Sequence, residues 1–240
     1  MYVRAVEKRA LTAVSVVVAV AVAGSAASVG RATVTRTDAL ATLMRPAQVY
    51  YRPDVHAAAP HQIVSSTRPY THTRTVLPVL AQKRTTDGRR WLFVLLPGRP
   101  NGHGGWIAMH ATELTSTPWH VVVQTGTRQV VVYRLGRRVA VFPAVVGKPS
   151  TPTPRGRFFI EEAIALRPGA LGMPFAFALS ARSNVYQEFD GGPGQIAMHG
   201  TYGIGGVLGT AVSHGCIRMS AFALRWMASR IGAGVPVTII

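Results

Sequence analysis

Hydrophobic positions in this chain fall into short runs cut by glycine and proline, with one helical stretch near the end. "WHVVVQT" (119–125), "RQVVVYR" (128–134) and "RRVAVFPAVV" (137–146) are valine-rich and separated by Thr-Gly and Leu-Gly turns. β-Branched residues suit a pleated surface and short glycine turns suit hairpins, so these runs predict antiparallel strands with one buried face. "RFFIEEA", "QIAMHG" and the terminal "VPVTII" continue the series as strands. "KPSTPTPRG" (148–156) concentrates residues with special backbone demands and predicts a loop. Residues 164–195 carry Pro168, Gly169, Gly172 and Pro174 and end in "DGGPGQ", predicting one long loop, and loops of that length tend to be functional. Only "SAFALRWMASRI" (220–231) has helical periodicity, with Ser220 as N-cap and Phe222, Trp226, Met227 and Ile231 toward one face. No strand–helix–strand alternation occurs, which excludes a parallel nucleotide-binding sheet.

Upstream, residues 45–116 read as a separate small β-barrel. "RPAQVYYRPD", "TVLPVLAQKR", "RRWLFVLLPGRP" and "GGWIAMHATEL" are short strand-like runs divided by Pro, Gly and Asp-Gly turns. The stretch "GRRWLFVLLPGRPNGHGGWIAMHATEL" resembles bacterial SH3-like domains, which bind or present wall peptides; a packing or spacer role is the alternative. Residues 31–44 have low complexity and read as a linker. Residues 1–30 start basic, with Arg4, Lys8 and Arg9, and continue for about twenty residues without charge. That pattern is a signal peptide, with Ser25 and Ala27 small enough to precede a cleavage site, or a retained membrane anchor. Either way the chain is expected to be exported, secreted or anchored at the cell wall.

Charge narrows the partners. The net formal charge is +17, from 26 Lys+Arg against 9 Asp+Glu, and it is spread as +9 over residues 1–119 and +8 over 120–240. Such a bias favours a polyanionic neighbour. No basic block with interleaved aromatics, zinc-finger spacing or RNA-binding signature is present, so nucleic acid is not expected; anionic cell-wall polymers and membrane headgroups are the candidates, and an Arg-rich composition without a dedicated partner is the alternative.

The chain has one cysteine, Cys216, in "AVSHGCIRMS". A single cysteine cannot form an internal disulfide. In an exported chain it is an intermolecular link, a reactive group, or a small buried hydrophobe. A thiol attacks only as thiolate, which calls for a nearby base or positive field. His214 lies two residues before it, and His199 ends the "QIAMHG" run. Gly200 and Gly215 flank these residues and permit close backbone approach, and the Gly215 and Cys216 amides, just ahead of the helix, are candidate oxyanion donors. The other six histidines form no metal-binding pattern. "VVGKPS" has Phe142 where a phosphate loop has its first glycine, and Ala211 replaces the first glycine of a serine-hydrolase elbow.

"HGTYGIGGVLGTAVSHGCIRMS", preceded by "GKPSTPTPRGRFFI", resembles the signature of the L,D-transpeptidase catalytic domain family over residues 119–240. The resemblance implies a mainly β, β-sandwich-like domain with one helix after the cysteine motif, joined to the small SH3-like barrel. It implies Cys216 as acyl-accepting nucleophile and His199 as general base, its ring oriented by the Gly200 carbonyl. His214, Gly215 and Cys216 would line the oxyanion site and Ser213 would fix the loop. Arg218 would grip a substrate carboxylate or brace the loop. The implied activity is transfer on peptidoglycan stem peptides, giving cross-links between third residues, without metal or organic cofactor. Carbapenem-type β-lactams would acylate the same sulfur. Hydrolysis at the same site, as an L,D-carboxypeptidase or other wall-peptide hydrolase, and a non-catalytic wall-binding role are the alternatives.

Overall fold

A computed structural model describes residues 27–29, 32–54, 60–188 and 191–240. The expected export segment lies outside these residues except for Ala27–Val29, which pairs as a short antiparallel strand with Ala32–Val34.

The C-terminal half is built on one eight-stranded sheet, beside which Val146–Gly147 and Ala211–Ser213 pair in parallel. Its order is Arg137–Pro143, Gln129–Arg134, Trp119–Gln124, Pro236–Ile239, Gly156–Ala165, Phe175–Arg182, Gln195–Gly200 and Ile217–Met219. The first three form the meander that their valine runs predict. The sheet curls until its ends meet: Val145, just past the first edge strand, exchanges two 2.9 Å backbone hydrogen bonds with Arg218 in the last. The last strand's outer edge is thereby partnered within the chain, while Arg137–Pro143 pairs on one side only. The core inside takes Val121, Val130, Phe158, Phe177, Met198 and Met219 from strands across the sheet. Helix Ala221–Ala228 closes it with Ala223, Leu224 and Met227, and the Ser220 hydroxyl caps the helix by accepting from the Ala223 amide at 3.2 Å.

The N-terminal half forms a five-stranded antiparallel sheet, Gly104–Ala108, Arg90–Leu95, Val76–Arg84, Asp38–Leu43 and Thr112–Thr117, beside a ribbon of Ala47–Val49 and Gln62–Val64. Adjacent residues serve two cores: Phe158 packs inside the C-terminal sheet, and Phe159 packs with Leu77, Leu92 and Val94 of the N-terminal one.

Four expectations need correction. Residues 31–44 are not a linker, because Asp38–Leu43 is a fully paired strand of the N-terminal sheet and buries Ala41 and Leu43. Residues 164–195 are not one loop, because Phe175–Arg182 crosses the middle of the C-terminal sheet. The first hairpin buries both faces, because Val122, Val131 and Tyr133, on the side away from the main core, are covered by Val34 and Ile240, whereas Arg137–Pro143 buries Phe142 and leaves Val139 and Val141 exposed. Finally, the helix ends at Ala228, and Phe222 points outward at 71 % exposure.

The two halves also meet through buried charge. Glu161 and Glu162 are each 2 % exposed. Glu161 pairs with Arg68 from the N-terminal half and with Arg182 at 3.0 Å, and accepts from Gln195 at 3.1 Å. Glu162 accepts from the Tyr70 and Thr71 amides at 3.2 and 2.9 Å. Removing one member of such a cluster strands the others in a poor solvent. Glu161→Ala is therefore expected to lower the unfolding free energy by about 3–5 kcal/mol in urea denaturation. The exposed Glu113→Ala is expected to stay within about 0.5 kcal/mol. Equal losses would show that the cluster adds no stability.

Candidate active site

Strand periodicity selects what faces the site. In Gln195–Gly200, Ile196 and Met198 enter the core, so Ala197 and His199 face the other way. In Ile217–Met219, Ile217 and Met219 enter the core, so Arg218 faces away, together with Cys216 two residues before it. The two strands pair in parallel, with Met198 opposite Ile217 and His199 opposite Arg218. Cys216, His199, Arg218 and His214 consequently line one open cavity of about 700 Å³, whose apolar wall includes Leu166, Leu171 and Ile204. The structure brings Cys216 and His199 together as the spacing suggests. A short strand, rather than the helix itself, follows the cysteine.

His199 is oriented from behind. Its Nδ1 lies 2.8 Å from the Gly200 carbonyl. A carbonyl only accepts, so Nδ1 carries the proton and Nε2 is left as the basic atom of the neutral ring. Burial pushes the His199 pKa below its usual value; the Gly200 hydrogen bond opposes this and the Arg218 charge adds to it. Burial pushes the Cys216 thiol up, opposed by a backbone hydrogen bond from Ala197 and by the Arg218 charge. Both shifts favour the uncharged forms. The resting pair is thus thiol beside neutral imidazole, and the proton moves as the sulfur attacks.

The cysteine loop is built from hydroxyls. Ser213 Oγ donates to the Cys216 carbonyl at 2.6 Å and accepts from the Gly215 amide at 3.1 Å. That contact corrects one expectation: the Gly215 N–H is turned into the loop and is not an open oxyanion donor. Thr151 donates to the Ser213 carbonyl at 3.1 Å, and Thr153 donates to the Gly215 carbonyl at 2.8 Å while accepting from the Gly147 amide at 2.9 Å. Both threonines are buried. They come from the "KPSTPTPRG" segment (148–156), a loop as expected, whose hydroxyls carry this role. Their signal was the repeated Thr-Pro, which places hydroxyls beside residues that have no N–H of their own. Gly215 adopts φ 118°, open to glycine and rare for other residues.

The remaining sequence candidates occupy the rim and wall. His214 is exposed, lines the cavity and meets the Tyr186 ring edge-on at 6.1 Å, which suits a wall better than a base. Arg218 donates to the Gly205 carbonyl at 3.2 Å and so braces the segment that connects the two strands. Among the described residues, no group of His, Cys, Asp and Glu forms a metal cluster.

A general base works while unprotonated, and the lowered pKa keeps His199 unprotonated further into acid. The alkylation rate of Cys216 is therefore expected to hold as pH falls through about 6.5, the ordinary imidazole value, and to decline only below it. An acid limb centred above that value would contradict the assignment.

Comparison with known proteins identifies the family of this domain. The family model YkuD, described as an L,D-transpeptidase catalytic domain, matches residues 118–239. A Bacillus licheniformis protein named as a YkuD L,D-transpeptidase is 30 % identical over 161 residues, covering 64 % of this chain and 88 % of its own. L,D-transpeptidase 1 of Mycobacterium tuberculosis is 24 % identical over 210 residues, covering 74 % and 77 %. A crystal structure of an L,D-transpeptidase from M. tuberculosis overlays with a TM-score of 0.43 at 19 % identity, covering 69 % and 90 %.

Proposed function

The chain belongs to the YkuD family of L,D-transpeptidase catalytic domains, and from that premise we propose that it joins peptidoglycan stem peptides through a thioester on Cys216. The observation that carries the reading is that Cys216 and His199 line one cavity, with the imidazole held by Gly200 so that Nε2 is its basic atom.

The chemistry follows from those positions. The Cys216 sulfur attacks the carbonyl that joins the third residue of a donor stem to its terminal D-amino acid, and His199 Nε2 takes the thiol proton. Negative charge then sits on the former carbonyl oxygen, where the Cys216 amide is the candidate donor. Collapse expels the D-amino acid, whose amine leaves with the proton from His199, and a thioester remains. An acceptor amine from a neighbouring stem gives its proton to His199 and attacks the thioester. The peptide bond forms, the cross-link joins two third residues, and the proton returns to the sulfur. Dividing the transfer in two keeps each barrier lower than direct aminolysis.

The remaining parts of the proposal have separate supports. The basic start and uncharged run of residues 1–30 support action outside the cytoplasm, at the wall. The resemblance of residues 45–116 to SH3-like domains supports a wall-binding role for the N-terminal half. The net charge of +17 supports retention on anionic wall polymers. Covalent capture of a carbapenem follows from the same nucleophile.

Incubation with a carbapenem is expected to give one covalent adduct by intact-protein mass spectrometry, absent from Cys216→Ala. His199→Ala is expected to slow its formation by roughly 10²–10⁴-fold near neutral pH. Purified tetrapeptide muropeptides are expected to yield cross-linked dimers. Shortened monomers in their place would assign hydrolysis, and no adduct on folded protein would assign a non-catalytic wall-binding role.

A further inference from the structure

The segment between the strands Gly156–Ala165 and Phe175–Arg182 folds back over the histidine. The Gly172 amide donates to the Tyr202 carbonyl at 2.9 Å, and its carbonyl accepts from the Gly200 amide at 2.6 Å. The turn is thus stitched to both sides of the residue whose carbonyl holds His199. Gly172 adopts φ +75°, and a β-carbon there would lie 2.8 Å from His199 Nδ1, 3.2 Å from Cγ and 3.4 Å from Cβ. The nearest atom is the one that makes the tautomer-fixing hydrogen bond to Gly200. Gly200 shows the same crowding from the other side, since a β-carbon on it would lie 2.0 Å from the Met173 carbonyl oxygen.

Positive φ alone accounts for many glycines. Gly169, in the same segment, separates the two explanations: its φ is +81° and a β-carbon there would meet nothing within 4 Å. At Gly172 a second demand is present, and it comes from the imidazole.

We propose that Gly172 is a positioning residue for the transfer reaction: its bare α-carbon forms the surface against which the His199 ring rests, holding Nδ1 on the Gly200 carbonyl and Nε2 toward Cys216. The inference rests on His199 being the base. A methyl group at 172 pushes the ring off its acceptor, the tautomer is no longer fixed, and the proton of Cys216 loses its destination. Cys216, Arg218 and His214 are the other titratable or charged groups of the cavity, and none of them approaches Gly172 as the ring does.

The test compares Gly172→Ala, Gly169→Ala and His199→Ala in the full chain by the pH profile of Cys216 alkylation. Gly172→Ala is expected to lose about a hundredfold near neutral pH and to converge on the wild-type rate above the pKa of a free thiol, as His199→Ala does. Gly169→Ala carries the same backbone strain and is expected to keep the wild-type profile. A wild-type profile in Gly172→Ala, with His199→Ala impaired, overturns the positioning role alone. An unimpaired His199→Ala overturns the base assignment and the positioning role with it. Loss in Gly169→Ala equal to that in Gly172→Ala assigns the effect to backbone strain and overturns the proposal. If Gly172→Ala does not fold, the double variant Gly172→Ala/His199→Ala is expected to fold with a stability loss, relative to His199→Ala, no greater than Gly169→Ala suffers relative to wild type. A double variant that stays unfolded contradicts the claim that the glycine makes room for the imidazole.

Discussion

The parallel pairing of Gln195–Gly200 with Ile217–Met219 is the constraint from which the site follows. Hydrophobic burial decides the face of each strand: Ile196, Met198, Ile217 and Met219 enter the core, and the intervening residues must look outward. Side chains alternate with a period of two, so a slip of one residue would bury His199 or Cys216 and expose core side chains. Each buried aliphatic side chain of this size is worth about 1.5–3 kcal/mol, which makes such a slip prohibitive. The reacting residues are thus held in register by neighbours that take no part in the chemistry.

The rest of the molecule supports that pairing from several directions. The Val145–Arg218 hydrogen bonds tie the last strand to the opposite end of the sheet. Thr151, Thr153 and Ser213 hold the cysteine loop by satisfying its backbone groups with hydroxyls. On the histidine side, Glu161 links Arg68 of the N-terminal half to Gln195, the first residue of the histidine strand. The N-terminal sheet is therefore part of the frame around the site, and Phe159 in its core makes the same connection with apolar contact.

How much of this was legible in the sequence depended on whether the signal was local. The valine hairpins from Trp119 to Pro143 and the Ser220 cap were readable, because strand alternation and capping act between near neighbours. The lone Cys216 and the His199 run were readable as chemistry, and their meeting in one cavity follows from pairing two strands seventeen residues apart. Phe175–Arg182 was hidden because glycine and proline on both sides outweighed its own weak alternation. Asp38–Leu43 was hidden because alanine and threonine carry little periodic signal, and its burial comes from partners far along the chain. The Gly215 amide was misassigned because its contact with Ser213 depends on a left-handed turn that glycine permits but spacing does not reveal. Glu161 and Glu162 would ordinarily be assigned to solvent, and only their distant arginine and amide partners make burial tolerable.

The chemical consequence is a site at rest without charge separation. A low-polarity cavity disfavours both thiolate and imidazolium, while the Gly200 carbonyl keeps the imidazole ready to accept a proton. Titrating the ultraviolet absorbance of the Cys216 thiolate, with Cys216→Ser as the blank, tests this most directly. The account predicts no thiolate until pH rises past about 8.5, the value for a free thiol. A thiolate already present at neutral pH, and abolished in His199→Ala, would mean that a preformed ion pair performs the reaction instead.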